Sequence, residues 1–327
     1  MNRIWRLSIS IVAASIATDG FFLFAQSTSP PNLVPVSTIL TVEARHDHDK
    51  NVPELHPEDV LAYERHERLQ VTDLVSFTRE HAGLELFLLL DDASSSSLGV
   101  QLGDVRHFIE AQPATTSIGV GYMRNGTVET VQGLTTDHAH AAKSLRLPLS
   151  SGGAGGSPYL SLSDLIKHWP DNGSRREPGS AARREVVMVT SGVDPLGGMG
   201  PMNPYLDSAI EDAQRNEIVV YAIYTPPTGH SGHSFWRLNW AQNYLAKLAE
   251  ETGGEDYMLG FGPAVSFAPY LEEISARLGH QYLVTVLMKP GNKAGLRAVR
   301  FTTEVPNAEL VAPAMVYVPA GGPEPNK

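Results

Sequence analysis

Asp92-Ala93-Ser94-Ser95-Ser96 has the spacing Asp-x-Ser-x-Ser. One carboxylate and two hydroxyls at alternate positions of a tight loop can converge on a hard cation such as Mg²⁺, which prefers oxygen ligands and keeps some of its waters. The same residue types also close polar turns and cap helices, and the spacing does not separate the two uses. What precedes the cluster adds information. Leu84-Glu85-Leu86-Phe87-Leu88-Leu89-Leu90 is a short, nearly continuous apolar run ending at Asp91, as expected of a strand buried on both faces of a parallel sheet. Ligand sites in open α/β sheets form just beyond the carboxyl ends of such strands.

Other chemistry-bearing clusters are weaker. His46-Asp47-His48-Asp49 has metal-ligand residue types, but it sits in a Lys-Asn turn and reads first as a solvated loop. Gly229-His230-Ser231-Gly232-His233 reads as a flexible loop at a strand end, and His138 and His140 fall at a solvated helix start. Gly152-Gly153-Ala154-Gly155-Gly156 lacks the Gly-Lys-Ser/Thr of a phosphate loop. No Gly-x-Ser-x-Gly elbow and no His-Glu-x-x-His occurs, and no base partner for the serines is visible, so no catalytic residue is assigned. Asn125-Gly126-Thr127 and Asn172-Gly173-Ser174 match glycosylation acceptors, which matter only in a host that modifies exported asparagines.

The elements that must position the Asp92 loop alternate along the chain. Leu102 to Ala111, Leu160 to Trp169, Leu206 to Asn216, Trp240 to Thr252 and Phe267 to Leu278 read as helices. Ser117 to Met123, Glu185 to Thr190, Ile218 to Tyr224 and Gln281 to Leu287 read as strands, and Asn125-Gly126 is a hairpin signal into Thr127 to Val131. Such alternation predicts an α/β fold: a doubly wound, mostly parallel sheet with helices on both faces. Before it, Ser37 to Val42, Val60 to Tyr63 and Val71 to Phe77 are β-prone, as are Leu296 to Thr303 and Leu310 to Val318 after it. These flanking strands are expected to form a small β unit together.

The 327 residues include 42% hydrophobic side chains, 29 Gly and 23 Pro, with a net charge of −11. The chain can build a core, has many loops, and lacks the aromatic-laced basic patch of a nucleic-acid binder. With no cysteine, disulfides, thiolate metal sites and a cysteine nucleophile are excluded. Arg3 and Arg6 followed by the apolar stretch Leu7 to Ala17 read as an export signal. Ser15-Ile16-Ala17 is the better cleavage site and Ala25 the poorer; Asp19-Gly20 argues against an uncleaved anchor. The expected layout is a signal peptide at 1–25, a linker at 26–35, an N-terminal β segment at 36–82, the α/β domain at 83–290, a C-terminal β segment at 291–319 and a disordered tail at 320–327.

The order of elements, with Asp-x-Ser-x-Ser after the first sheet strand, resembles the von Willebrand factor A domain family over about Leu84 to Leu287. More narrowly it is similar to exported bacterial members with a β segment on either side. The family's metal-ion-dependent adhesion site joins the Asp-x-Ser-x-Ser loop to a Thr from a second loop and an Asp from a third. The resemblance implies ligand roles for Asp92, Ser94 and Ser96. In the second loop Ser157, within Gly155-Gly156-Ser157-Pro158, stands where the family has Thr. In the third, Ser191 of Val189-Thr190-Ser191-Gly192 stands where the family has Asp. A neutral hydroxyl in place of a carboxylate weakens cation binding; Asp194 could reach back, and Asp91 could support from behind. Mg²⁺ or another divalent cation is therefore the implied cofactor.

The function these features imply is a non-enzymatic, exported interaction or adhesion module, periplasmic or extracellular. It would bind a protein partner at the top of the sheet, without nucleic acid and without a membrane span once the signal is removed. The alternative is a structural or assembly protein whose flanking strands pair with another subunit, giving an oligomer. A serine hydrolase is a third class and needs a His or Lys within reach of a serine oxygen.

Overall fold

The computed structural model describes residues 33–45, 52–78, 83–94, 96–149, 156–170, 183–198, 200–227, 234–258 and 260–321. The expected signal segment, His46–Asp49, the glycine run up to Gly155, Asn172, His230, His233 and the tail beyond Gly321 lie outside these residues.

The chain is mixed α/β. A mostly parallel sheet is built from β4 (Leu84–Asp91), β5 (Thr116–Arg124), β6 (Thr127–Thr135), β7 (Arg183–Thr190), β8 (Ile218–Tyr224) and β9 (Asp256–Tyr257), in the order β6-β5-β4-β7-β8-β9. Only β6 runs antiparallel, joined to β5 through Asn125 and Gly126, both at positive φ, as a tight hairpin of matching twist requires. The strand β4 is central, with Leu90 level with Tyr122 of β5 and Val189 of β7.

Because side chains alternate along a strand, β4 feeds two cores. Leu84, Leu86, Leu88 and Leu90 pack with α1 (Leu102–Ala111), α2 (His138–Lys143) and α6 (Ala268–Gly279). Phe87 and Leu89 pack with α3 (Pro158–Lys167), α4 (Pro204–Arg215) and α5 (Phe235–Thr252). Burial from both sides explains the nearly continuous apolar run of β4 and the unbroken one of β8.

A second, antiparallel sheet combines β1 (Val34–Ala44), β2 (Val60–Glu64), β3 (Glu67–Ser76), β10 (Gln281–Met288), β12 (Arg300–Thr303) and β13 (Ala308–Val311), in the order β12-β2-β3-β10-β1-β13. The position of β10 differs from the sequence expectation, which made it the last strand of the parallel sheet. It pairs instead with β1, placing Leu40 opposite Tyr282, and with β3. Its burial alternates strictly from Leu283 onward, the signature of a strand covered on one face. The short β9, which the sequence did not suggest, takes the edge beside β8. The two C-terminal strand stretches are each broken. The first divides into β11 (Gly295–Ala298) and β12, and the second into β13 and β14 (Met315–Val318) with Pro313 between them. β11 pairs with β14, while β12 and β13 join the larger sheet.

Candidate functional site

The carboxyl ends of β4 and β7 lie side by side, and two consecutive carboxylates leave β4 there in different directions. Asp91 closes the strand. Its Oδ2 accepts from the Thr190 hydroxyl at 2.8 Å and its Oδ1 from the Ala93 amide at 2.9 Å. Burial pushes the Asp91 carboxyl above its ordinary range, against the hydrogen bond from Thr190. It is a strut between adjacent strand ends, not a group open to a ligand.

Asp92 is buried, at 4% exposure, and an arginine meets it. Arg146 Nη1 donates to Oδ1 at 2.7 Å and Nη2 to Oδ2 at 3.3 Å, while the Leu149 amide donates to Oδ1 at 2.8 Å. Arg146 follows α2 and is held by Tyr122 of β5. The Tyr122 hydroxyl donates to the Arg146 carbonyl at 2.6 Å and accepts from its amide at 2.8 Å. The guanidinium carbon lies 3.8 Å from the centre of the Tyr122 ring, a stacking contact that suits a planar cation. Glu129 of β6 approaches from the other side at 3.6 Å. The Asp92 contact holds Arg146 still more firmly protonated than usual. Sequence reasoning missed Arg146; the signal was a lone cation in the apolar stretch Leu145-Arg146-Leu147-Pro148-Leu149.

Ser157 and Asp194 meet in a separate knot. Ser157 is fully buried and caps α3, accepting from the Leu160 amide at 3.4 Å. Its hydroxyl donates to Asp194 Oδ2 at 2.9 Å, and Asn203 Nδ2 donates to the same oxygen at 3.0 Å. Asp194 Oδ1 accepts from the Leu196 amide at 2.9 Å. Asn203 in turn caps α4. Ser191 turns inward to accept from the Val193 amide at 3.3 Å. Gly156 brings this loop against the hairpin turn: a Cβ there would stand 2.0 Å from the Gly126 nitrogen.

The predicted donors thus divide. Ser157 joins Asp194 directly, Asp92 bonds to Arg146 and Leu149, and Ser191 bonds locally. Ser94 is buried, with its amide on the Asp91 carbonyl and a β-bridge to Pro227, and Ser96 opens a 3-10 turn at Ser96–Val100. Among the described residues no three His, Cys, Asp or Glu side chains gather as metal ligands. The two carboxylates that would anchor a divalent ion both have their oxygens engaged by protein donors. This arrangement does not fit a metal ion without displacing them.

What the edge does present is apolar surface. Eleven large hydrophobic side chains are exposed among the described residues. Apart from Leu33 and Tyr317, they lie on connections or in a first helical turn at this edge. Val100 precedes α1, and Leu147 and Leu149 flank the Asp92 contact. Leu196 and Met202 lie between β7 and α4, Phe235 and Trp236 open α5, and Phe261 and Val265 follow β9. Phe235 touches both Trp236 and Phe261, with ring centres 6.1 and 5.4 Å apart. A shallow cavity of about 100 Å³ beside them is lined by Gly192, Asp194, Arg237, Trp240 and Tyr244 among others.

No family model and no curated protein matches the chain. Similar solved structures include an aerotolerance-related membrane protein from Bacteroides fragilis NCTC 9343 carrying multiple mutations to serines. It is 15% identical with a TM-score of 0.43, over 60% of this chain and 98% of that one. A von Willebrand factor type A protein from Catenulispora acidiphila is 12% identical with a TM-score of 0.44, over 90% and 75%. Proximal thread matrix protein 1 from the mussel byssus is 14% identical with a TM-score of 0.43, over 60% of this chain and 48% of its own length.

Proposed function

We propose that the chain is a non-catalytic, exported interaction module that engages a protein partner at the carboxyl edge of its parallel sheet. The observation that carries this is the concentration of exposed Leu, Val, Met, Phe and Trp side chains on that one edge. Single exposed apolar residues are ordinary, but exposed residues that touch one another mark a docking surface, and Phe235 touches both Trp236 and Phe261. Phe and Trp are enriched in the cores of protein interfaces. Loops on a rigid sheet can carry such a surface without weakening the fold.

The serine chemistry points the same way. The Ser157 hydroxyl donates its proton to Asp194, so that serine is used structurally and not as a nucleophile activated by a base. Among the described residues no helix is long and apolar enough to cross a membrane. The export element rests on Arg3, Arg6 and the apolar stretch Leu7 to Ala17. Assembly through the second sheet has less support, since its edge strands β12 and β13 are only four residues each, too short to template a long pairing.

Site-specific photo-crosslinking in the native host tests the proposal. A photoreactive residue at Trp236 or Val265 should give a discrete adduct with one protein, and the same residue at Tyr317 should not. Adducts only from Tyr317 would move the interface to the β11–β14 strand pair and defeat the proposal.

A further inference from the structure

We infer that Arg146 is the built-in counter-cation of Asp92, occupying the place beside that carboxylate which a divalent ion would need, so that this edge works without a divalent metal. The inference does not depend on the identity of any partner.

Three observations carry it. First, both oxygens of the Asp92 carboxylate are engaged from within the chain: Oδ1 takes Arg146 Nη1 at 2.7 Å and the Leu149 amide at 2.8 Å, and Oδ2 takes Arg146 Nη2 at 3.3 Å. A guanidinium in this forked pose satisfies the charge and the geometry of a carboxylate together. Second, the arginine is positioned and not merely nearby. The buried Tyr122 hydroxyl bonds to both its carbonyl and its amide, and the Tyr122 ring lies under the guanidinium at 3.8 Å. A side chain clamped in this way loses little entropy when it pairs. Third, the other candidate carboxylate is committed elsewhere. Asp194 accepts from Ser157, Asn203 and Leu196, and position 191 holds a neutral serine. A divalent ion would have to evict a fixed positive charge and would find one carboxylate to reward it, while Mg²⁺ in particular gives up its waters reluctantly.

The guanidinium therefore does by covalent attachment what a soluble ion does by mass action. It neutralises Asp92 and draws the chain after α2 onto the end of β4. A docking edge organised by an arginine is present at every metal concentration, and chelators do not switch it.

The experiment follows Mn²⁺ binding to the full chain by the electron paramagnetic resonance of the free ion, with thermal melts in Mg²⁺ alongside. Six proteins are compared: wild type, Arg146→Lys and Arg146→Met, each with and without Asp92→Asn. Methionine keeps an unbranched stem over Tyr122 and removes the charge. The expected result is no Mn²⁺ uptake by wild type or Arg146→Lys. Arg146→Met should take up about one ion and melt higher in Mg²⁺, and Arg146→Met with Asp92→Asn should lose both responses. Uptake by wild type that Asp92→Asn abolishes would overturn the inference. So would a folded Arg146→Met that stays silent, because the guanidinium would then not hold the cation position. Should Arg146→Met not fold, the other single-site arms decide: silence in wild type and Arg146→Lys supports the inference, and Asp92-dependent uptake by either sinks it.

Discussion

The Ser157 hydroxyl donates to Asp194 Oδ2 at 2.9 Å, joining the first turn of α3 to the loop after β7. Both residues are buried, and Asn203 adds a second donor to the same oxygen. Ser157→Ala removes a helix cap and leaves one oxygen of the carboxylate short of a donor, a loss of about 1–3 kcal/mol. Asp194→Ala strands three donors at once and should cost about 3 kcal/mol or more. Urea unfolding of the two variants measures both losses. Equal, small effects would mean that the Ser157–Asp194 bond contributes little to the folded state.

Tyr122→Phe keeps the ring beneath Arg146 and deletes the hydroxyl that holds its backbone twice. The half-buried Arg146 amide and carbonyl lose their partner, so stability should fall by about 1–3 kcal/mol. The 145–149 segment should also exchange amide hydrogens faster, which hydrogen-exchange mass spectrometry would detect. Unchanged protection there would show that Tyr122 does not clamp the segment.

Trp236→Ala and Val265→Asp alter side chains that are 70% and 93% exposed. Neither should move the unfolding midpoint by more than about 0.5 kcal/mol. Partner crosslinking from a neighbouring position should nevertheless drop at least tenfold, as loss of an aromatic anchor worth about 1.4 kcal/mol or more requires. A destabilised Val265→Asp would place that residue in the core and shrink the apolar surface proposed for docking.

Gly156→Ala tests the loop against the hairpin. A Cβ at 2.0 Å from the Gly126 nitrogen and 2.4 Å from the Asn125 carbonyl carbon meets backbone, which cannot rotate away. The loop must shift, at a cost of about 1–3 kcal/mol, and Ser157 moves with it. A melting temperature equal to wild type would show that loop and turn are not in contact.

Stability should fall as pH rises from about 4.3, the unfolded value for a glutamate, toward neutrality. Burial pushes the Glu185 carboxyl up to about 7, against the pull of Arg183. Within that window the folded chain keeps a proton that the unfolded chain has released. Stability is therefore full below the window and declines across it, with a slope of up to about 1.4 kcal/mol per pH unit. Asp91, Glu43, Glu255 and Asp256 are raised by burial as well and act in the same direction. Glu185→Gln should flatten the Glu185 contribution when urea midpoints are compared at about pH 5 and about pH 8. An identical slope in the variant would assign the pH dependence to the other carboxyls.

The elements of the parallel sheet were legible because local periodicity and burial agree. Leu84 to Leu90 is apolar apart from Glu85 because helices cover both of its faces, and Asn125-Gly126 makes a hairpin because both residues accept positive φ. The strand β10 was misplaced because an apolar stretch directly after a helix reads alike whichever sheet it enters; only its pairing with β1 decides. The site divided along the same line. Residue type and strand position brought out the Asp92 loop, because both are local properties, while Ser157 and Asp194 were implied only by the family resemblance. Their partners were decided only by the tertiary structure. Arg146 lies 54 positions from Asp92 and Asn203 lies 46 from Ser157, and no periodicity spans such distances. Whether a carboxylate faces a free ion or a tethered guanidinium depends on which loop folds over it, and that is settled by packing across the sheet.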